Sequence, residues 1–208
     1  MDTTPFRQDV DRAALRSELG LPADAFVIGH VGRFVEEKNH AFLVQVVAEV
    51  ARREPRTRLL LVGEGPLRPA VAQLVEQSGL AGRVVFAGLR SDVARLMLGA
   101  MDVFLFPSIL EGLGLVLVEA QASGLPCIIS SVVPSEADVV PSLVRRMDLA
   151  QPPSSWAAAV LEARNARLPG ARTAALATVE GSRFNIQRSV HELEQVFAGV
   201  PRAMDGGG

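Results

Sequence analysis

The sequence of 208 residues lacks tyrosine and has one cysteine, Cys127, and one lysine, Lys38. A single cysteine cannot form an internal disulfide, which excludes a disulfide-stapled scaffold and is typical of a reducing, cytoplasmic setting. No apolar run approaches the roughly 18 residues of a membrane-spanning helix, and residues 1–20 carry charges where a secretory signal needs an apolar stretch. The net charge of −2 predicts no general attraction to nucleic acid, and at most peripheral contact with a membrane.

Lysine is almost completely replaced by arginine, because Lys38 is the one lysine among 21 basic residues. A genome with GC-rich codons explains such a bias, so the bias alone indicates nothing about function. It does single out Lys38, since this sequence uses arginine almost everywhere that a surface cation would serve.

Short apolar runs alternate with amphipathic stretches over the first 130 residues. The apolar runs are continuous, as expected when a parallel sheet is covered on both faces. Repeated β–α units with short loops predict the α/β class, with a Rossmann-like, doubly wound parallel sheet. The predicted strands are Phe26–Val31, Leu59–Val62, Val84–Phe86, Val103–Phe106 and Cys127–Ile129, and the predicted helices are Ala41–Arg52, Leu67–Gln77, Asp92–Leu98 and Leu115–Ser123.

The pattern weakens after Ser130. Ser142–Leu149 is predicted as one more strand, followed by a helix over Trp156–Arg167 with a serine as its N-cap. Trp156 is interpreted as a packing anchor. A final helix is predicted near Ser189–Phe197, and the last residues, 201–208, are predicted to be a disordered tail.

In sheets of this kind, ligands bind beyond the carboxyl ends of the strands. The loop after the first predicted strand contains Gly32, Arg33 and Lys38, directly before a helix N-terminus. A forked cation and a compact cation beside free helical amides suit a diphosphate. The alternative interpretation is a pair of solvated surface charges that are offset by Glu36 and Glu37, and the residues alone leave both open.

The loop after the second predicted strand contains the run Gly63-Glu64-Gly65. It lacks the Lys-Ser/Thr of a phosphate-binding loop and the third spaced glycine of a dinucleotide fingerprint. A plain tight turn is therefore the favoured interpretation.

The most specific motif runs from Phe106 to Ala120 and holds two glutamates eight residues apart, Glu111 in a glycine loop and Glu119 in the helix that follows. The Gly-x-Gly entry to that helix offers backbone amides to an anion. Glu119 follows four aliphatic residues, where an unpaired carboxylate is costly. It therefore needs hydroxyl or amide donors, which a ribose diol would supply.

Several other polar residues indicate no chemistry. His30, His40 and His191 share no metal-ligand spacing, so no metal site is predicted, and Asp92 is interpreted as a helix cap. Neither Ser108 nor Ser123 stands in a hydrolase motif.

From Val27 to about Glu136 these motifs resemble, in order, the C-terminal domain of retaining GT-B glycosyltransferases of family 4, or glycosyltransferase group 1. A narrower similarity is to members that act in exopolysaccharide or capsule assembly. Two departures from the family pattern stand out. Leu113 replaces a frequent phenylalanine, and Val132 and Val133 replace a glycine pair before Glu136, so no role is assigned to Glu136.

The resemblance implies a domain that binds a UDP- or GDP-linked sugar without a metal or another cofactor. Arg33 and Lys38 would neutralise the diphosphate, Glu111 would bind sugar hydroxyls, and Glu119 would bind the ribose. The other donor-binding residues implied in this way are Gly32, Leu89, Arg90, Ser108, Gly112, Leu113, Gly114 and Leu115, with Leu89 and Arg90 near the base.

The resemblance also implies an absent N-terminal domain that contacts a glycan or lipid-linked acceptor, because Asp2 to Phe6 resembles the Asp-x-x-x-Phe that follows the interdomain linker. The expected organisation is a lead-in and first helix (1–25), a nucleotide-sugar-binding domain (26–200) and a tail (201–208). Alternatives are a sugar-nucleotide epimerase of the same fold, a non-catalytic nucleotide-sugar-binding domain and, less favoured, a dinucleotide-dependent oxidoreductase.

Overall fold

A computed structural model of the chain describes residues 1–164 and 171–199. Six strands form one sheet: β1 (Phe26–Val31), β2 (Thr57–Val62), β3 (Val84–Gly88), β4 (Val103–Phe106), β5 (Cys127–Ser130) and β6 (Val144–Met147). Their order across the sheet is β3-β2-β1-β4-β5-β6, and every neighbouring pair is parallel. The prediction of a doubly wound, Rossmann-like parallel sheet is confirmed. The order reverses between β1 and β4, which is where such sheets open a crevice at their carboxyl edge.

The helices cover both faces of the sheet. One face carries α2, α3 and α6, and the other carries α1, α4, α5 and α7, so two hydrophobic clusters flank the strands. The helices are α1 (Arg12–Glu18), α2 (His40–Arg53), α3 (Arg68–Gln77), α4 (Val93–Gly99), α5 (Leu115–Ala122), α6 (Pro153–Arg164), α7 (Ala171–Glu180) and α8 (Ile186–Gly199).

The central strands are largely apolar because successive side chains enter opposite clusters. In β1, Val27 packs on one side, while Phe26 and Ile28 pack on the other. The first five positions of β1 are buried, and His30 is its one polar side chain.

Helix α1 is tied to the sheet through a buried arginine. Arg16 donates to the backbone oxygens of Ala23 and Ala25, both at 2.8 Å, and forms an ion pair with Asp102 at 2.8 Å. The same carboxylate accepts the Val27 N–H at 2.8 Å. The segment before β1 is therefore fastened to the amino ends of β1 and β4.

The C-terminal part differs from the prediction in two places. Helix α6 begins at Pro153, so Ser154 and Ser155 lie in its first turn. The predicted start at Trp156 with a serine as N-cap is therefore wrong. Proline suits a first helical position because it has no N–H to leave unpaired. Helix α7 was not predicted, because within it only Ala175 and Val179 are buried, which is too weak an apolar pattern to recognise.

Trp156 is fully buried and its indole N–H donates to the Asp148 carbonyl at 3.1 Å, which confirms the packing role. The last helix, α8, starts at Ile186, three residues before the predicted start. The predicted end of α6 at Arg167 and the predicted tail, 201–208, lie outside the described residues. Within the described ranges, no helix is long and apolar enough to cross a membrane.

Candidate functional site

The loops that leave β1 and β2 lie side by side at the carboxyl edge of the sheet. The Gly32 N–H donates to the Val62 carbonyl at 3.0 Å, and the Phe34 N–H donates to the Glu64 carbonyl at 3.0 Å. A Cβ on Gly63 would lie 2.1 Å from the Gly32 oxygen, and a Cβ on Gly65 would lie 2.6 Å from the Phe34 oxygen. The two glycines are therefore needed for close approach of two backbones, which is more than the plain turn that the sequence favoured.

A cavity of about 510 Å³ opens where these loops meet the loop after β3. Four of the predicted site residues line it: Gly32, Arg33, Leu89 and Arg90. Arg33 is exposed, and no ion pair engages its guanidinium anywhere in the described part of the chain. Leu89 is 81% exposed, which leaves its side chain as an open apolar lip of the cavity.

Arg90 is held in place by acidic neighbours. Its guanidinium donates two 2.7 Å bonds to Asp92 and a longer bond, 3.3 Å, to Glu18. Asp92 does occupy the N-cap position of α4, but its side chain makes no capping bond there because Arg90 engages both oxygens. The hydrogen bonds from Arg90 lower the pKa of Asp92 to about 2.

Lys38 and Glu111 form an ion pair beside this cavity. The Ile109 N–H donates to the Glu37 carbonyl at 2.8 Å, which draws the loop after β4 onto the turn that carries Lys38. The ammonium also lies 5.0 Å from the centre of the Phe106 ring, within range of a cation–π contact. The structure thus joins two residues for which the sequence predicted separate contacts.

Gly32 leaves space for the lysine stem. A Cβ at this position would stand 3.4 Å from the Lys38 Cγ and Cδ atoms and 3.1 Å from the His30 Nε2 atom. These contacts are tight enough to shift the lysine, so the glycine helps to set the position of its ammonium group.

The entry to α5 presents backbone amides to the crevice. Gly114 adopts the left-handed conformation, with φ of 67°, at the N-cap position. Among the described residues, no acceptor receives the amides of Gly112, Leu113, Leu115 or Val116. Leu113 and Leu115 are exposed, so this first turn is open to a ligand, and its free amides favour an anion.

Glu119 lines a second cavity, of about 420 Å³, together with Ser91, Leu115 and Val93. Within the ranges described, its carboxylate makes no hydrogen bond or ion pair with the protein. Burial raises the pKa of this carboxyl group above its ordinary value. Val93 lines both cavities, so they adjoin along the start of α4.

Ser108 differs from the other predicted residues. It is fully buried, its backbone oxygen accepts a 2.6 Å bond from the Ser130 hydroxyl, and its own Oγ has no partner among the described residues. It lies below the surface and does not line either cavity.

His30 and His40 meet beneath the Lys38 turn, with ring centres 4.8 Å apart. Burial and the neighbouring His40 ring lower the pKa of His30 to about 3, and burial together with the Lys38 charge lowers the pKa of His40 to about 4. Both rings are therefore neutral at pH 7. The described ranges hold no cluster of three or more His, Cys, Asp or Glu that could bind a metal ion.

Sequence reasoning missed Glu64, Ser91 and Val93 as lining residues. The run Gly63-Glu64-Gly65 was a usable signal for the first of these, since it leaves a strand at the ligand-binding edge. Ser91 and Val93 carry no pattern of their own, and only the position of α4 against α5 reveals them.

Comparison with known proteins places these features in a family. The chain is 45% identical over 150 residues to the putative glycosyltransferase EpsF of Bacillus subtilis, covering 72% of this chain and 39% of that protein. It is 39% identical over 136 residues to the 2-deoxystreptamine glucosyltransferase of Streptomyces kanamyceticus, covering 61% and 35%. The chain thus spans well under half the length of these relatives.

Among solved structures, the Anabaena protein Alr3699/HepE in complex with UDP and glucose superposes with a TM-score of 0.80 at 23% identity, over 95% of this chain and 55% of that one. This likeness supports the fold. The family model described as "Glycosyl transferases group 1" matches residues 25–165, most of the chain. This protein belongs to the glycosyl transferases group 1 family.

Proposed function

We propose that this domain binds a UDP- or GDP-linked sugar and that, in a longer protein, it takes part in transfer of the sugar to a glycan or lipid-linked acceptor. One observation carries the proposal: at the carboxyl edge of the sheet, Arg33 lines a cavity without an ion pair among the described residues, and Lys38 pairs with Glu111 next to Gly114, where the free amides of the α5 entry begin. The relative EpsF is named a putative glycosyltransferase, and the structural neighbour HepE was solved with UDP and glucose. Both support the proposal.

The chemistry follows from where charge develops. Breaking the bond between the sugar C1 and the diphosphate oxygen leaves negative charge on the diphosphate and positive charge on the ring. Arg33, Lys38 and the amides of the α5 entry stabilise the first of these charges. The anomeric configuration is retained if the leaving phosphate accepts the acceptor's proton from the same face, and we assign no described residue of the site as a separate general base.

The two cavities divide the rest of the donor. In this proposal the cavity beside Leu89 and Arg90 accommodates the base. Glu119, which lines the adjoining cavity and has no hydrogen bond or ion pair among the described residues, binds the ribose hydroxyls. A buried carboxylate gains most from hydroxyl donors. The buried, unpaired Cys127 thiol is consistent with a cytoplasmic protein.

Calorimetry with UDP, GDP and ADP, paired with a turnover assay, tests this function. We expect a nucleoside diphosphate to bind and the isolated chain to transfer sugar poorly or not at all, because the described residues leave the site open to water at Arg33, Leu89 and Leu113. Failure of all three nucleotides to bind contradicts the proposal. Conversion of a nucleotide sugar into its epimer by the longer protein would favour an isomerase instead.

A further inference from the structure

We propose that the Lys38–Glu111 ion pair makes this site discriminate a nucleotide sugar from the corresponding nucleoside diphosphate. The inference rests on the proposed function and adds a selectivity to it. It starts from an asymmetry between the two cations of the crevice: Arg33 is free of ion pairs in the described structure, whereas Lys38 is already bound to a carboxylate.

Each member of the pair is the other's main polar partner. The side chains of Lys38 and Glu111 are 19% and 13% exposed, and no other hydrogen bond involves either one among the described residues. Water therefore reaches them poorly. A ligand that separates the pair must supply a replacement for each charge, since an ion that loses its partner in such a place is strongly destabilised.

The two candidate ligands differ in what they replace. A diphosphate supplies oxygens for the Lys38 ammonium, but it offers nothing to the Glu111 carboxylate and brings like charge close to it. A sugar on that diphosphate supplies hydroxyl donors for the carboxylate. A nucleotide sugar therefore satisfies both charges, whereas a nucleoside diphosphate competes with Glu111 for the same ammonium.

The consequence concerns the order of events in a reaction cycle. When the sugar leaves, Glu111 loses its hydroxyl partners and returns to Lys38, which weakens the hold on the remaining diphosphate. Glu111 thus acts as a specificity-determining residue that favours the substrate over the product. A Glu111 that contacted only the sugar would have no influence on the affinity for a nucleoside diphosphate.

The test is calorimetry with UDP and UDP-glucose, and with GDP and GDP-mannose, on the parent chain and on Glu111→Gln. We expect the substitution to tighten binding of the nucleoside diphosphate by about three- to tenfold and to weaken binding of the nucleotide sugar. Glu37→Gln is the matched control, because Glu37 is adjacent to Lys38, is exposed and forms no ion pair within the described residues. In a Lys38→Ala background, Glu111→Gln should no longer tighten diphosphate binding.

Three results overturn the inference: unchanged diphosphate affinity in Glu111→Gln, equal tightening in Glu37→Gln, or tightening that persists without Lys38. The last two would mean that the carboxylate acts only through long-range charge. Binding of no nucleotide by the parent chain would instead overturn the proposed function.

A second measurement does not depend on nucleotide binding. Because Lys38 is the only lysine, a tag-free chain labelled with ¹³Cε-lysine gives a single side-chain NMR signal. We expect Glu111→Gln to shift this signal in the free protein and Glu37→Gln to leave it in place. An identical signal in the parent chain and Glu111→Gln would show that the pair does not form, and the inference would fall even if nucleotides bind.

Discussion

Strands β1 and β4 carry an ion pair at each of their ends, and the two pairs are built differently. At the amino ends, Arg16 meets Asp102, and Arg16 also donates to carbonyl oxygens of Ala23, Ala25 and Ala100. At the carboxyl ends, Lys38 meets Glu111, and among the described residues neither side chain forms a further hydrogen bond. The first pair joins α1 to the start of β4 and the second joins the segments that follow β1 and β4, so the two pairs lie in different surroundings.

The amino-end pair is held by several protein groups, although the buried Arg16 Nε has no partner among the described residues. Asp102 binds a second arginine, Arg12, and the Val27 amide, so it fastens α1 to two strands. In the carboxyl-end pair, the other donors of the Lys38 ammonium and the other oxygen of Glu111 have no partner among the described residues. An ion pair that many protein groups bind, as Arg16–Asp102 does, supports the fold, whereas the Lys38–Glu111 pair has few protein bonds and is the pair proposed to meet a ligand.

The largest expected effect separates the pairs by stability. Asp102→Ala leaves Arg16 buried without its counter-charge, which should lower the free energy of unfolding by about 3–5 kcal/mol. Glu111→Ala should cost less, about 1–2 kcal/mol, because the Lys38 side chain is 19% exposed against 3% for Arg16, so more of its charge stays hydrated when the partner is lost. Urea unfolding followed by fluorescence of Trp156, the only tryptophan, measures both. Asp24→Ala is the exposed control, and equal losses at the two ends would break the comparison.

The second prediction concerns binding at the carboxyl end. Lys38→Ala and Arg33→Ala should each weaken nucleoside diphosphate binding by about 1.5–3 kcal/mol, and should weaken uridine or guanosine binding far less. Lys38→Arg should restore only part of the affinity, because a planar fork does not fit a site made for a compact charge. Arg53→Ala, an exposed cation at the far end of α2, is the control. A variant that binds UDP as the parent does would identify its residue as a solvated surface cation.

The third prediction concerns how the stability of the protein depends on pH through His30 and His40, which are buried near the carboxyl end of β1. His30 and His40 stay neutral in the folded protein to about pH 3 and about pH 4, while their ordinary pKa is 6.5. Their stabilising contribution is therefore present above pH 6.5 and is lost as the pH falls, because the unfolded chain binds the protons.

His40→Phe should keep the stacking on Phe34, whose ring centre is 4.3 Å away, and it sacrifices no hydrogen bond of the described structure. We expect the loss of stability between pH 6.5 and pH 4.5 to be shallower by about 1.4 kcal/mol per pH unit. Urea unfolding at several pH values measures the slope. His191→Phe, at an exposed position on α8, is the control, and an unchanged slope in His40→Phe would contradict the prediction.

The smallest effect is expected at Glu119, whose partly buried carboxylate has no protein partner among the described residues. Because burial raises its pKa, the ionised form costs stability above the ordinary pKa of 4.5. Glu119→Gln should therefore raise Tm by about 1–3 °C at pH 7, with the gain fading below pH 4.5, and should weaken nucleotide binding. Calorimetry and thermal unfolding measure both. A lower Tm would indicate that Glu119 supports the fold instead of a ligand.

The sequence by itself determined the doubly wound sheet and the edge of the sheet at which to look. Continuous apolar runs such as those of β1 and β4 can be satisfied only between two helical layers, and the glycine loops and charged residues follow strand ends. Local pattern was enough for these features. It was not enough for α7, which buries only two residues and owes its place to packing against α5.

Only the tertiary structure decided which charges meet. Lys38 and Glu111 are 73 residues apart and Arg16 and Asp102 are 86 apart, and nothing in the sequence indicates that the members of either pair meet. Whether an ion pair supports the fold or awaits a ligand depends on the carbonyls, amides and water around it. These surroundings come from the parallel pairing of β1 with β4 and from the helices and loops that pack around the two strands. Burial is a property of the assembled sheet and of no single segment.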